Sequence, residues 1–266
     1  MRLLCTVRAC RAPLEKLGPS LLCPNRHIYD VARSGYVNLL QPQDRRSRNP
    51  GDMAEAVAAR RRFFDAGHAE PLVRAIVEAL PLAPNEALLD VGCGEGHHLA
   101  AFRRAYGVEA HGVDLSVAAI DLAARRDRDC TWIVANADRF IPYEDHSFDA
   151  VTSITSRLLP EEFHRVLKQG GKLLVAIAGA DDLIELRRAE RDRVERTVEM
   201  FVSHFALERH LHVRHVAHLD RDAIHDVMAA SYRRKRIDDA MDVTFSRDVL
   251  LFRSRQVSSE VSSQWP

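Results

Sequence analysis

Three cysteines and a histidine near the start of the chain, Cys5, Cys10, Cys23 and His27, follow the spacing C-x4-C-x12-C-x3-H. Two ligand pairs separated by about a dozen residues suit a four-coordinate zinc site with thiolate and imidazole ligands. With all four positions filled by protein no place is left for water, so the metal is expected to be structural. The other reading is three free thiols and an ordinary histidine. Farther along, Asp90-Val91-Gly92-Cys93-Gly94-Glu95-Gly96 makes a G-x-G-x-G turn preceded by an acid. Glycines let the backbone bend sharply and approach a ligand, and a helix start beyond them presents free N–H groups. The spacing departs from the dinucleotide fingerprint G-x-G-x-x-G. Asp90 and Glu95 would repel a pyrophosphate but suit a cationic ligand that carries an amino acid.

Asp114 follows the turn by about twenty residues, where an acid can bind ribose hydroxyls. Asn136, Ala137 and Asp138 end the next apolar run, where a carboxylate can accept from an adenine amino group. The ligand these acids fit is S-adenosylmethionine, which carries a sulfonium and an ammonium. Each acid taken singly reads equally well as a solvated helix cap; three at successive strand ends favour the ligand. Cys93 and Cys130 are expected to pack rather than react.

The elements that must position these residues alternate. Strands are expected at 87–91, 109–115, 131–135, 148–154 and 172–178. Ser116 is a good helix N-cap, and a short helix over 160–168 stops at Gly170-Gly171. Apolar spacing over 53–80 predicts one or two amphipathic helices broken near Gly67 and Pro71. Helices are also expected over 183–199 and 220–232, and DVTFS and DVLLF read as a closing antiparallel pair. This is the pattern of an α/β doubly wound sheet with helices on both faces. The organisation expected is a zinc-binding module at 1–40, a basic loop and linker helices at 41–80, a cofactor domain at 81–253 and a disordered tail at 254–266. The two modules are expected to have separate cores.

The chain has 266 residues with 38 basic and 38 acidic side chains, so its net charge is zero. A globally basic nucleic-acid binder is excluded, whereas a local basic face is not. No apolar run approaches the roughly 20 residues of a membrane span. Five cysteines, an odd number, argue against a disulfide framework, and no secretory signal is readable, so a cytoplasmic protein is expected.

Three stretches, DVARSGYVNLL (30–40), RRSRNPGD (45–52) and AARRRFFDAGH (58–68), carry a resemblance when joined to the Cys/His spacing and the DVGCGEG turn. From Cys5 to about residue 178 the chain resembles the 23S rRNA (guanine-N1-)-methyltransferases, in which a small N-terminal zinc-binding domain precedes a class I (Rossmann-like) methyltransferase domain. The resemblance implies methyl transfer from S-adenosylmethionine to N1 of a guanine in a 23S rRNA hairpin, by a homodimer. It also implies zinc ligation by Cys5, Cys10, Cys23 and His27, and cofactor contacts at Gly94, Glu95 and a position after the fifth strand, here Asp182. The family's tyrosine after the GH of DAGH is replaced by Ala69, and its first cysteine pair is usually closer than C-x4-C. The arginines bordering the zinc module, Arg45, Arg46, Arg48, Arg60 and Arg61, are expected to bind RNA phosphates. A second cluster, Arg233, Arg234, Lys235 and Arg236, stays open between RNA contact and solvated surface. A methyltransferase of small molecules would need neither the zinc module nor the arginines. A non-catalytic RNA-binding protein would not need the intact glycine turn and its acids.

Overall fold

The computed structural model describes residues 1–44, 51–187, 192–231, 237 and 239–255. It begins with β1 (Glu15–Leu17), β2 (Ser20–Leu22) and β3 (Ile28–Asp30), a small antiparallel sheet. Gly18, at φ 59°, and Pro19 make the two-residue link between β1 and β2. β4 (Val37–Asn38) leaves this module and pairs in parallel with a strand of the main sheet. A 3-10 turn, Pro42–Asp44, follows.

Helices α1 (Ala54–Asp65) and α2 (Glu70–Ala79) are separated at Gly67. Pro71 does not break the helix as expected; it sits in the first turn of α2, where no intrahelical N–H is required. The alternating region then supplies β5 (Ala87–Val91), α3 (His97–Tyr106), β6 (Glu109–Asp114), α4 (Val117–Arg126), β7 (Thr131–Val134), β8 (Phe148–Ile154), α5 (Pro160–Val166) and β9 (Leu167–Ala178). Ser116 caps α4, its hydroxyl accepting from the Ala119 N–H at 3.3 Å. The chain closes with α6 (Val194–Phe201), β10 (Phe205–Leu219), α7 (Arg221–Ala230) and β11 (Met241–Ser254).

The main sheet has the order β10-β11-β9-β8-β5-β6-β7-β4. β4 to β9 run parallel, and β11 lies antiparallel between β9 and β10. The chain leaves β5 toward β6 on one side and toward β8 on the other. Such a reversal opens a crevice at the carboxyl ends of the strands. Helices cover both faces, as the sequence pattern requires of a doubly wound α/β sheet. One apolar core lies under α2, α3, α4 and α7 and includes Ile76, Leu80, Phe102 and Ile120.

Three expectations need correction. DVTFS and DVLLF are one strand, β11, whose antiparallel partner is β10. The polar Ser246-Arg247-Asp248 between them is no turn, because Ser246 and Asp248 are buried in the ladder with polar partners. The helix expected over 183–199 starts only at Val194, and residues 188–191 lie outside the described residues. Ahead of it the chain is tied to β11 instead: Leu183 N–H donates to Thr244 O at 2.7 Å and Glu185 accepts from Thr244 N–H at 2.8 Å. Finally, the two modules do not have separate cores. Cys5, Leu14, Cys23, Tyr29 and Leu39 pack in one cluster with Ile133, Tyr143, Phe163 and Phe201 under the second face of the sheet. A module this short has too little apolar surface to close a core alone. Of the expected tail, Ser254 ends β11 and Arg255 N–H bonds His204 O; residues 256–266 lie outside the described residues.

The merged core predicts the effect of Leu39→Ala. Leu39 is fully buried and donates its N–H to Val134 O at 2.9 Å. Its truncation should cost about 2–5 kcal/mol and lower the melting of the whole chain in calorimetry as one transition. An early separate transition would show independent modules.

Candidate active site and metal centre

β1–β3 and their turns bring Cys5, Cys10, Cys23 and His27 together, with one ligand atom of each within 4.8 Å of the others. The Cys10 and Cys23 sulfurs are 3.8 Å apart, and the His27 Nδ1 lies 3.3 Å from the Cys5 sulfur and 3.4 Å from that of Cys23. With Zn–S near 2.3 Å and Zn–N near 2.0 Å, tetrahedral edges are about 3.8 Å for S···S and about 3.5 Å for S···N. The residues therefore fit a four-protein-ligand zinc ion, with Nδ1 as the imidazole donor. Tyr29 Oη lies 3.1 Å from the Cys5 sulfur, and Asn25 donates to that of Cys10 at 3.1 Å. Such outer contacts orient ligands and stabilise thiolate charge. The longer C-x4-C loop removes no ligand.

The crevice at the ends of β5, β6, β7 and β8 is a cavity of about 600 Å3. Gly92, Gly94, Glu95, Asp114, Asn136, Ala137, Asp138, Ala69 and Asp182 all line it. Gly96 lies just behind and caps α3 at φ 79°; a Cβ there would meet the Trp132 ring at 2.4 Å. Asp114 Oδ2 accepts from Gly94 N–H at 2.9 Å and Oδ1 from Ser116 N–H at 2.8 Å, so the acid and the glycine turn brace each other. Burial raises its pKa against those two hydrogen bonds.

Glu95 is 2% exposed, and its Oε1 has no hydrogen-bond partner. Burial raises its pKa too, opposed by the Arg60 and Arg126 guanidiniums. An orphaned acceptor on a cavity wall fits an ammonium donor from a ligand. The donor set thus fits S-adenosylmethionine: an acid at the glycine turn for its amino group, Asp114 for the ribose, and Asn136 to Asp138 for the adenine. Asp138 is paired with Arg157 at 3.0 Å.

Asp90 does not line the cavity. It is 2% exposed beneath the turn and accepts from the Thr152 hydroxyl at 2.8 Å. Burial pushes its carboxyl up to about 7, with Asp114 and Glu95 adding to the rise. Ala69, 4% exposed, offers the cavity only a methyl group. Asp182 is held by Ser246 N–H at 3.0 Å and by the guanidiniums of Arg187 and Arg247.

Arg60 does not join an outward basic face. It lines the cavity and pairs with Asp52 at 2.6 Å. Arg61 is on the surface, paired with Asp65 at 3.3 Å. Arg45, Arg46 and Arg48 lie outside the described residues, as does the 233–236 cluster. Cavity residues not foreseen are Asp52, Phe63, Phe64, His98, Phe245 and Arg247. Phe63 and Phe64 were legible only as apolar helix positions, and nothing local marks Phe245 or Arg247. Burial, with His97 and the Arg247 and Arg60 guanidiniums, draws the His98 imidazole down to about 3.

Two predictions follow from this geometry. Cys23→Ser should abolish binding of about one zinc per chain, read by elemental analysis, and should lower the melting of the whole chain because Cys23 belongs to the shared core. The folded Asp90 holds a proton that the unfolded chain releases. Its contribution to stability is therefore complete below about pH 4 and is lost as pH rises through about 7. Asp90→Asn removes that loss, so denaturation measured from pH 4 to 8 should be flatter for the variant. The variant should be more stable than the parent at pH 8, by about 2–4 kcal/mol. An identical slope for both would place the titration elsewhere.

A methyltransferase-domain model matches residues 88–171, and an "RlmA, N-terminal" zinc-ribbon model matches residues 5–48. A Bacillus subtilis (strain 168) protein with the provisional name 23S rRNA (guanine-N(1)-)-methyltransferase YxjB is 36% identical over 264 residues, covering 88% of this chain and 91% of the relative. The 23S rRNA (guanine(748)-N(1))-methyltransferase of Streptomyces fradiae is 34% identical over 232 residues, covering 83% and 81%. The fold is shared with a chain from the complex of the Haloferax volcanii Trm112 methyltransferase activator and its methyltransferase, at TM-score 0.57 and 17% identity over 77% of this chain and 99% of that one. A zinc ribbon with its four ligands assembled, a methyltransferase domain whose cavity fits the cofactor, and identity running through both establish that this chain belongs to the 23S rRNA (guanine-N1-)-methyltransferase family.

Proposed function

We propose that this chain methylates N1 of a guanine in a hairpin of 23S rRNA, using S-adenosylmethionine, as a cytoplasmic homodimer. The observation that carries the reading is identity spanning both modules: the Bacillus relative matches 88% of the chain, zinc ribbon and cofactor domain alike. Among the described residues no helix is long and apolar enough to cross a membrane.

In this reading residues 1–40 are the zinc module, 41–80 carry the basic loop and linker helices, and 81–253 perform the transfer. The zinc ligands are Cys5, Cys10, Cys23 and His27, and the metal braces the module without taking part in the reaction. S-adenosylmethionine supplies an electrophilic methyl group. The chain holds the cofactor through Asp114 at the ribose, Asn136 to Asp138 at the adenine and Glu95 at the ammonium, along the Gly92-Cys93-Gly94 turn.

A guanine in a stem must leave the stack to reach this crevice. Phe63, Phe245 and Ile154 give it apolar walls that exclude water. Alignment of N1 with the methyl group is then mainly a matter of positioning. Arg45, Arg46 and Arg48, with Arg61, are the proposed phosphate contacts. They precede Gly51 and Asp52, which line the cavity, so the RNA would be held close to its rim. Asp182 contributes to the site by fixing Arg247 rather than through a free carboxylate.

The test is transfer to 23S rRNA lacking the modification, read by primer extension. N1 methylation blocks the Watson–Crick edge, so reverse transcriptase should stop at one guanine with the parent enzyme. Asp114→Ala should weaken cofactor binding by about 1–3 kcal/mol in calorimetric titration and reduce the stop. Methyl transfer to a small acceptor with none to rRNA would overturn the reading.

A further inference from the structure

Helix α1 buries Ala56, Val57, Ala59 and Phe63. Arg60 is three residues after Val57 and three before Phe63, so helical spacing carries it on the apolar stripe toward the interior. Its guanidinium ends in the cavity wall. One nitrogen, Nη2, donates to Asp52 at 2.6 Å. Nη1 faces the glycine turn: a side-chain carbon on Gly94 would lie 3.5 Å from it. Asp52 is itself fastened, since the Ser116 hydroxyl donates to its carbonyl at 3.0 Å. The other carboxylates whose fields reach Arg60 are Glu95 and Asp114.

Three more arginines line the cavity among the described residues, and each is turned to another wall. Arg157 pairs with Asp138 at the proposed adenine end, and Arg187 and Arg247 converge on Asp182. Arg60 is therefore the cation above the glycine turn. S-adenosylmethionine has one anionic group, the α-carboxylate of its methionine portion, next to the ammonium proposed for Glu95. A guanidinium fork with one arm already fixed can bind a carboxylate with its other N–H groups at little loss of side-chain freedom.

We propose that Arg60 binds the methionine α-carboxylate of the cofactor, with Asp52 holding its guanidinium in place. The proposal rests on the cofactor reading above and moves Arg60 from the RNA face to the cofactor site. A different role is open to the same geometry, in which Arg60 merely secures the Gly51-Asp52 segment beside Asp114.

Two ligands separate these roles in calorimetric titration of the full chain. S-adenosylhomocysteine carries the carboxylate and cannot react, whereas 5′-methylthioadenosine keeps the adenosine and sulfur but lacks the amino acid. Arg60→Gln should lower affinity for S-adenosylhomocysteine by about 10- to 100-fold and leave affinity for 5′-methylthioadenosine unchanged. That second ligand also reports that the variant is folded. Arg60→Lys, which keeps the charge without the fork, should lose less. Equal loss for both ligands would overturn the proposal in favour of the segment-securing role, and loss for neither would place the carboxylate elsewhere. A parent chain that binds neither ligand would remove the cofactor reading itself, and the proposal with it.

Discussion

Burying three carboxylates at one end of a sheet is the constraint on which this site depends. Asp90, Glu95 and Asp114 surround a single turn; burial raises the pKa of each, and the charges of Asp114 and Glu95 add to the rise at Asp90. The chain relieves them in different ways. Asp114 receives two backbone N–H groups, one of them from the turn itself. Asp90 receives a hydroxyl and moves its pKa toward neutrality. Glu95 draws on its own backbone N–H and on the guanidiniums of Arg60 and Arg126, and keeps one oxygen without a partner. A sulfonium bearing an amino group would add to the positive charge that Arg60 already brings to this site.

The N-terminal module is joined to this site through the sheet. β4 extends the sheet beside β7, whose carboxyl end leads to Asn136, Ala137 and Asp138. Leu39 and Tyr29 share a core with Ile133 and Tyr143. A bridge between Leu3 and Tyr143 ties the first residues to the same place. Zinc held at Cys5 and Cys23 would therefore brace the apolar cluster under β7. Such a metal would support the scaffold of the cofactor crevice as well as the module that contains it.

How far the sequence could be read follows from the same physics. β5 and β8 were legible to the residue because each is a short, mostly apolar run, as strands buried on both faces tend to be. The acids and glycines were legible together, because three acids lie near the ends of successive strands around one glycine turn. β10 was not legible: as an edge strand it alternates Leu, Val and Ala with exposed His and Arg, which hides it among polar segments. DVTFS and DVLLF read as two strands because the partners that keep Ser246 and Asp248 in one ladder, Asp181, Asp182, His210 and His212, are distant in sequence. Arg60 did carry a signal. Within a run of three arginines it alone keeps the spacing of Val57 and Phe63, and a charge on an apolar stripe points into a site rather than out to solvent.

Burial, with the arginines inside the cavity, governs how its charge responds to pH. Asp182 binds Arg247, and the charges of Arg247 and Arg60 both reach the His98 imidazole. Burial, with His97 and the two guanidiniums, holds that imidazole neutral down to about pH 3. The neighbouring His97, stacked on Phe64 with centroids 4.3 Å apart, is drawn down to about 4 by burial and by Arg126 and Arg104. A histidine that gained charge near neutral pH would place a cation beside a sulfonium and weaken its binding. Neither of these does so, because burial, with fixed positive charge around them, keeps both neutral. Asp90, pushed up to about 7, is the group placed to change charge there, and its ionisation adds negative charge beneath the turn. The field at the glycine turn therefore grows more favourable to a cationic ligand as pH rises through neutrality, even as the same ionisation weakens the fold that holds it.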